Sequence, residues 1–176
     1  VPVEKIGEKW AKAVEHPISP VLIENPSCQE IVHSGLALNA GNGLDSLPVP
    51  ISTPGYDAAP YLTSTACITR DPDTDIQNLG TYRAGLKAPD RMGLKLFMNL
   101  GQGAATHWKK YKLRGKKMPM AIVVGCPPAV AYVAPQKLPE GIDELSIAGG
   151  IADSPIRVAK ATQSDLLIPA EAEIVI

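Results

Sequence analysis

Prolines and glycines are frequent in this chain and interrupt its apolar runs at short intervals. Seventeen prolines and 15 glycines are spread along 176 residues, while aromatic residues make up only 5%. Because proline ends helices and glycine weakens the interior of helices and strands, this pattern is typical of many short strands and turns. The length suits one domain with a single sizeable core. We therefore expect residues 1–176 to form one β-rich α+β domain.

The charge and hydropathy patterns exclude several classes of protein. Seventeen basic residues and 18 acidic residues give a formal net charge of −1, so no broad positive field is available for nucleic acid or an anionic membrane. No apolar run approaches the roughly 20 residues needed to cross a bilayer, and no signal sequence is visible. The expectation is a soluble, cytoplasmic protein that binds neither nucleic acid nor membrane. The three cysteines are far apart, and we interpret them as small buried apolar residues.

Apolar periodicity and turn residues predict the order of the elements. Helices are expected over 3–14, ending at His16-Pro17, and over 104–113, 129–134 and 143–148. A hairpin of strands is expected from 61–69 and 79–85, followed by strands at 120–124, 156–161 and 173–176. Residues 35–57 carry too many turn residues for a long regular element. The first helix has a narrow apolar face, so residues 1–19 are interpreted as a connecting helix whose partner lies outside the chain.

General motif searching leaves the function open. Gly101-Gln102-Gly103 precedes a helix and could place backbone N–H groups against a phosphate, although a plain turn is the commoner explanation. Asn78 and Glu144 offer hard oxygen ligands for Mg²⁺, Mn²⁺ or an alkali ion, but nothing local links them. Arg83 could grip a carboxylate or phosphate, or be an ordinary exposed arginine. His107 has no neighbouring motif that would make it catalytic.

Several segments taken together resemble the UbiD family of reversible decarboxylases. The resemblance covers roughly residues 20–176, and its segments are Leu47-Pro48, Pro60-Tyr61-Leu62-Thr63, Ile68-Thr69-Arg70-Asp71-Pro72-Asp73-Thr74, Asn78-Leu79-Gly80-Thr81-Tyr82-Arg83, Leu138-Pro139-Glu140-Gly141, Asp143-Glu144-Leu145 and 165–173. The resemblance implies a split β-barrel related to flavin-binding proteins, with helices over its open edges. It also implies prenylated FMN as cofactor, with Mn²⁺ or possibly K⁺, and an aromatic or unsaturated carboxylic acid as substrate.

The resemblance assigns roles to individual residues. Asn78 and Glu144 correspond to metal ligands that bridge to the flavin phosphate, and Arg83 corresponds to the catalytic arginine that faces the substrate carboxylate. The residues that correspond to cofactor contacts are Thr81, Tyr82, Arg83, Phe97, Met98, Asn99, Gln102 and Gly103.

Two departures from the family pattern affect these expectations. The family places a histidine metal ligand just before its glycine-rich turn, whereas Gly101 stands at the matching position here, and His107 lies too far along the helix to replace it. Family members also continue past the final strand into a segment that carries the acidic proton donor. The expectation is a cofactor-binding domain that is inactive alone and associates, most simply as a homodimer, or with missing parts of a parent enzyme.

Two other functions stay open at this point. A non-catalytic subunit of a multisubunit carboxylase or decarboxylase would keep the fold without the metal histidine. A simple flavin-binding module related to flavin reductases would bind the cofactor without decarboxylation chemistry.

Overall fold

A computed structural model describes residues 1–139 and 141–176, so Glu140 of the resemblance lies outside the described residues. Within these ranges four α-helices occur where the sequence predicts them: α1 (Ile6–Glu15), α2 (Gly103–Leu113), α3 (Pro128–Val133) and α4 (Glu144–Ala152). Helix α4 is longer than expected. Its N-cap Asp143 accepts a hydrogen bond from the backbone N–H of Leu145, which satisfies one of the unpaired donors of the first turn.

In the described residues, ten short strands form three sheets. The strands are β1 (Val21–Leu22), β2 (Tyr61–Leu62), β3 (Ala66–Arg70), β4 (Gln77–Gly80), β5 (Ala84–Ala88), β6 (Arg91–Leu94), β7 (Met120–Val124), β8 (Arg157–Lys160), β9 (Leu167–Pro169) and β10 (Ile174–Val175). Their orders are β10-β7-β3-β4, β2-β5-β6 and β1-β8-β9. The expected mixed α+β class is confirmed. In the described chain none of the three sheets closes on itself, and the split β-barrel stays a prediction.

The sheet β10-β7-β3-β4 separates two apolar clusters. Successive side chains of a strand point to opposite faces, and β3 follows this rule, since Ile68 faces the larger cluster and Cys67 the smaller one. Helices α3 and α4 cover the larger cluster with Val130, Val133 and Leu145. The smaller cluster contains Cys67, Tyr82, Ala84, Ala104 and Ile122 and lies between this sheet, β5 and the start of α2. The covering of both faces explains the uninterrupted apolar sequence of β7.

The predicted hairpin exists, but each of its two long strands is split between sheets. β3 pairs with β4 in one sheet, and β2 pairs with β5 in another, all antiparallel. The residues between the paired strands cross from sheet to sheet together, and the Thr65 hydroxyl donates a 2.6 Å hydrogen bond to the Tyr82 carbonyl across the crossing. The prediction of continuous strands over 61–69 and 79–85 is therefore wrong. Each segment pairs in one sheet over part of its length and in another sheet over the rest.

Helix α1 finds a partner inside the chain. Ala13 is buried against α4, where a side-chain carbon added to Gly150 would lie only 2.9 Å from the Ala13 Cα and O atoms. Trp10 makes an edge-on contact with Tyr132 of α3, with ring centroids 5.9 Å apart. The expectation that the helix lacks a partner within this chain is therefore wrong. The interpretation of residues 1–19 as a connecting helix otherwise stays a prediction.

Two other sequence expectations can be compared with the structure. Cys67 is fully buried, as expected, whereas Cys28 and Cys126 are only partly buried, and all three thiols are free. Within the described ranges, every helix is too short or too polar to cross a membrane.

Candidate functional site

One large cavity lies between β4, the turn that precedes α2 and the segment that joins α3 to α4. Its volume is about 950 Å³, which is within the size range of small-molecule sites in proteins. Residues from segments far apart in sequence line it. Those already assigned from the sequence are Asn78, Thr81, Tyr82, Gln102, Gly103 and Glu144.

Asn78 and Glu144 are brought together at the wall of this cavity. The Glu144 carboxylate accepts a 3.1 Å hydrogen bond from the backbone N–H of Leu79, the residue that follows Asn78 in β4. Glu144 is the first residue of α4, and the helix therefore presents its carboxylate to the strand. The fold supplies the link between the two residues that was missing from the local sequence.

Glu144 is unusual for a carboxylate because its side chain is almost completely buried. Its relative exposure is 7%, and this desolvation raises its pKa from 4.5 to about 7. Hydrogen bonds from backbone N–H groups, including that of Leu79, oppose the shift. A cation bound beside Glu144 would oppose this effect and favour the ionised form.

Asn78 lies tightly against the turn that begins α2. A side-chain carbon added to Gly103 would lie 1.7 Å from the Asn78 Oδ1 atom, so glycine is required for this approach. The Asn78 Nδ2 atom is buried and makes no hydrogen bond of good geometry among the described residues, although the Asn78 side chain lies near enough to the Tyr82 hydroxyl to interact with it. An unsatisfied buried donor costs about 1–3 kcal/mol, and a ligand with acceptor oxygens would relieve that cost.

Tyr82 is buried on the same side of the cavity, with 6% of its surface exposed. Its hydroxyl accepts a long hydrogen bond of 3.4 Å from the N–H of Ala104 in the first turn of α2. Burial raises the pKa of this hydroxyl above 10.0, so it stays protonated at neutral pH and can donate a hydrogen bond. Tyr82 thus connects the segment that follows β4 to the first turn of α2.

The remaining predicted residues lie outside the cavity wall. Arg83 is exposed in the loop between β4 and β5, directly after the cavity residues Thr81 and Tyr82. Phe97, Met98 and Asn99 precede the turn of α2, and the Phe97 N–H donates a 2.7 Å hydrogen bond to the Gln102 side chain. These residues shape the turn. Their contacts with a cofactor or substrate stay predictions.

The cavity is also lined by a polar cluster of Asp71, His107 and Lys110, which sequence reasoning missed. Buried Asp71 accepts a 2.5 Å hydrogen bond from Lys110, and His107 lies within 2.9 Å of the Thr69 hydroxyl through its Nδ1 atom. His107 and Lys110 are three residues apart and therefore share a face of α2. This spacing is the sequence signal that could have revealed the cluster. Asp71 lies in a segment that carries the family resemblance, but nothing in the sequence predicted its contact with α2. The cluster joins α2 to the β3–β4 turn.

The residues present fit a flavin phosphate with a cation better than a metal held by protein alone. Among the described residues, no group of three or more His, Cys, Asp or Glu side chains could hold a metal ion. Asn78 and Glu144 provide two hard oxygen ligands, the kind that Mg²⁺ and Mn²⁺ take when water and phosphate complete their coordination. Gly101 contributes no side-chain ligand to this set.

Comparison with known proteins gives a consistent result. Residues 21–176 match the family model described as UbiD, 3-octaprenyl-4-hydroxybenzoate carboxy-lyase Rift-related domain. An uncharacterized protein of Aquifex aeolicus is 37% identical over 133 residues, which are 76% of this chain and 27% of that protein.

Two solved structures of HmfF, a UbiD-class enzyme of Pelotomaculum thermopropionicum, are also similar to the chain. One is in complex with FMN, and the other is an evolved dimeric form in complex with prFMN. Each is 32% identical with a TM-score of 0.84 and covers 99% of this chain. The chain spans only 38% and 40% of those two chains.

Proposed function

The chain belongs to the UbiD family of carboxy-lyases, and we propose that it is the cofactor-binding part of a prenylated-FMN-dependent decarboxylase. Its substrates would be aromatic or unsaturated carboxylic acids, in keeping with the aromatic acid in the family description. The chain spans only part of the length of its relatives, so the complete decarboxylation reaction is also part of the proposal.

The observation that carries this proposal is the composition of the cavity. Two oxygen ligands, a buried tyrosine hydroxyl and a glycine-rich helix start converge on one space of about 950 Å³ from three separate segments. A purely structural role would not explain these groups, since a buried unpaired amide and a desolvated carboxylate both lower the stability of the folded chain. Polar groups perturbed in this way are concentrated at ligand sites, so a ligand site explains why these destabilising groups are present.

The residues would divide the work between the cofactor and the substrate. Asn78 and Glu144 would hold Mn²⁺ against the cofactor phosphate, while the N–H groups at the start of α2 complement the same negative charge. The exposed guanidinium of Arg83 would bind the substrate carboxylate through paired hydrogen bonds. Prenylated FMN, when bound, supplies the electron sink that decarboxylation requires.

The proposal is tested by titrating the purified, metal-free chain with FMN and with prenylated FMN, each with and without Mn²⁺. Flavin fluorescence and calorimetry would measure affinity. We expect saturable binding of both flavins that Mn²⁺ strengthens, and a loss of the Mn²⁺ effect in Asn78→Ala. A folded chain that binds neither flavin would contradict the proposal and favour a structural subunit.

A second measurement tests the metal assignment separately from flavin binding. Mn²⁺ bound near the phosphate should broaden the phosphorus resonance of FMN, because the ion is paramagnetic. We expect this broadening in the wild-type chain and its reduction in Glu144→Gln, which keeps an acceptor for Leu79 but removes the charge. Equal broadening in the two proteins would exclude Glu144 as a ligand.

A further inference from the structure

The cations around the cavity differ in how their charge is compensated. Lys110 and Lys137 both line the cavity. The Lys110 ammonium lies 2.5 Å from Asp71 and 3.2 Å from Asp73, so two carboxylates neutralise it. Lys137 appears in none of the ion pairs formed by the described residues. Among the residues that the structure describes, no carboxylate therefore compensates the positive charge of Lys137.

Lys137 is held at the turn that precedes α2. It lies in the segment between α3 and α4, and its ammonium donates a 2.7 Å hydrogen bond to the Gly101 carbonyl and a weaker one of 3.5 Å to the Leu100 carbonyl. An ammonium has three donors, so at least one of them can reach a further acceptor. The two carbonyls fix the position of the charge without neutralising it.

The glycine at position 101 makes room for this ammonium. Gly101 has a φ of +61°, and a side-chain carbon built there would lie 3.1 Å from the Lys137 nitrogen. A larger residue at this position would be strained by the positive φ, and the ammonium would have to shift by a few tenths of an ångström. The same glycine that removes a side chain from the turn therefore admits a cation from elsewhere in the chain.

Other groups nearby are hydrogen-bond donors. Helix α2 begins at Gly103 without a side-chain cap, and the N–H groups of a first helical turn lack acceptors within the helix; that of Ala104 already donates a long hydrogen bond to the Tyr82 hydroxyl. The Asn78 Nδ2 atom, which is buried against this turn, makes no hydrogen bond of good geometry among the described residues. A cation, a helix N-terminus and an unpaired amide donor are complementary to an anion.

We infer that Lys137 binds the phosphate group of the cofactor directly, as a positive charge built into the chain beside the Gly101–Gly103 turn. This inference rests on the proposed function, because it concerns the same cavity and a phosphomonoester ligand. Lys137 then compensates phosphate charge that the small metal ligand set leaves uncompensated. Phosphate recognition consequently persists when divalent metal is removed.

The test compares FMN with riboflavin, which has the same ring system and no phosphate, in buffer containing EDTA. The variants are Lys137→Met, which keeps an apolar stem, and Lys137→Arg, which keeps the charge. Lys117→Met is the matched control, since Lys117 is exposed and lies outside the cavity wall. Flavin fluorescence gives the dissociation constants, and circular dichroism confirms that each variant is folded.

We expect the wild-type chain to prefer FMN over riboflavin, and Lys137→Met to lose about 10-fold or more in FMN affinity, as for one charged hydrogen bond. Riboflavin affinity should stay unchanged, and Lys137→Arg and Lys117→Met should resemble the wild type. Equal FMN affinity in wild type and Lys137→Met would overturn the inference alone. Equal losses of affinity for FMN and for riboflavin would also overturn the inference, because Lys137 would then affect only the conformation of the turn and not phosphate binding. A wild-type chain that binds neither flavin would contradict the proposed function and this inference together.

Discussion

At the scale of single residues, the cavity depends on glycines that leave space for polar groups from other segments. Gly103 admits the Asn78 amide and Gly101 admits the Lys137 ammonium. Both glycines belong to a turn that could be recognised from the sequence as a possible phosphate site. The groups that they admit could not be recognised, because Asn78 and Lys137 are distant in sequence and meet the turn only in the folded chain.

Replacing Gly103 with alanine tests this close approach. The added carbon would overlap Asn78 Oδ1, so the amide or the turn must move, and such overpacking typically costs about 1–3 kcal/mol. We expect FMN affinity to fall by roughly 10-fold, or 1.4 kcal/mol. Gly93→Ala is the control, because its added carbon would meet only Lys87 at 3.6 Å. Similar FMN affinity in the two variants would show that the Asn78 position is unimportant.

The raised pKa of Glu144 predicts a pH-dependent stability of the metal-free chain. Between pH 4.5 and about 7 the folded chain holds a proton on Glu144 that the unfolded chain has lost. Stability therefore falls as pH rises through this window, by an amount on the order of 3 kcal/mol, and is constant with respect to this group above it.

Urea unfolding at several pH values, in wild type and Glu144→Gln, would measure this contribution. Glutamine keeps an acceptor for the Leu79 N–H but does not titrate. The difference in free energy of unfolding between the two proteins should shift in favour of the variant as pH rises from 4.5 to 7. Parallel pH profiles would show that Glu144 titrates normally.

At the scale of elements, α4 has two functions that place different demands on its sequence. Its first turn presents Glu144 to the cavity, and its last turn lies against Ala13 of α1 through Gly150 and against Ile18, after α1, through Gly149. Small residues in the second region allow the helices to approach closely. The amphipathic pattern of α1 could be predicted from the sequence. Its partner could not, because glycines have no apolar side chain that would mark a contact surface.

Gly150→Ala should therefore destabilise the chain even though alanine favours helices. The added carbon would lie 2.9 Å from backbone atoms of Ala13, and we expect a loss of about 1–3 kcal/mol in the free energy of unfolding. Gly7→Ala in α1 is the matched control, since nothing lies within 4 Å and the helix should gain about 0.5–1 kcal/mol. Chemical denaturation would measure both. Equal stabilisation by the two changes would contradict the close α1–α4 contact.

At the scale of the whole molecule, the cavity lies where three parts of the fold meet, so its occupation should stabilise the entire chain. FMN at 100 times its dissociation constant should contribute about 2.7 kcal/mol if only the folded chain binds it. For a chain of this size that corresponds to a rise in melting temperature of roughly 5–10 °C. Differential scanning fluorimetry or calorimetry would measure it. An unchanged melting temperature at saturation would mean that the flavin does not select the folded chain.

Self-association also belongs to this scale and stays a prediction. Sedimentation velocity at two protein concentrations would measure it, and the expected species is a homodimer. A single monomeric species at both concentrations would contradict that expectation.

The sequence by itself determined the mixed α+β class, the places of the four helices, the β3–β4 pairing and the family. These features depend on local periodicity, on turn residues such as those after β3, and on family-specific segments. The tertiary structure decided how the strands divide between sheets, which helix covers α1, and which polar residues share the cavity. Glu144 and Lys137 show the reason: their properties come from burial and from contacts with residues far away in the chain, and neither is encoded in neighbouring residues.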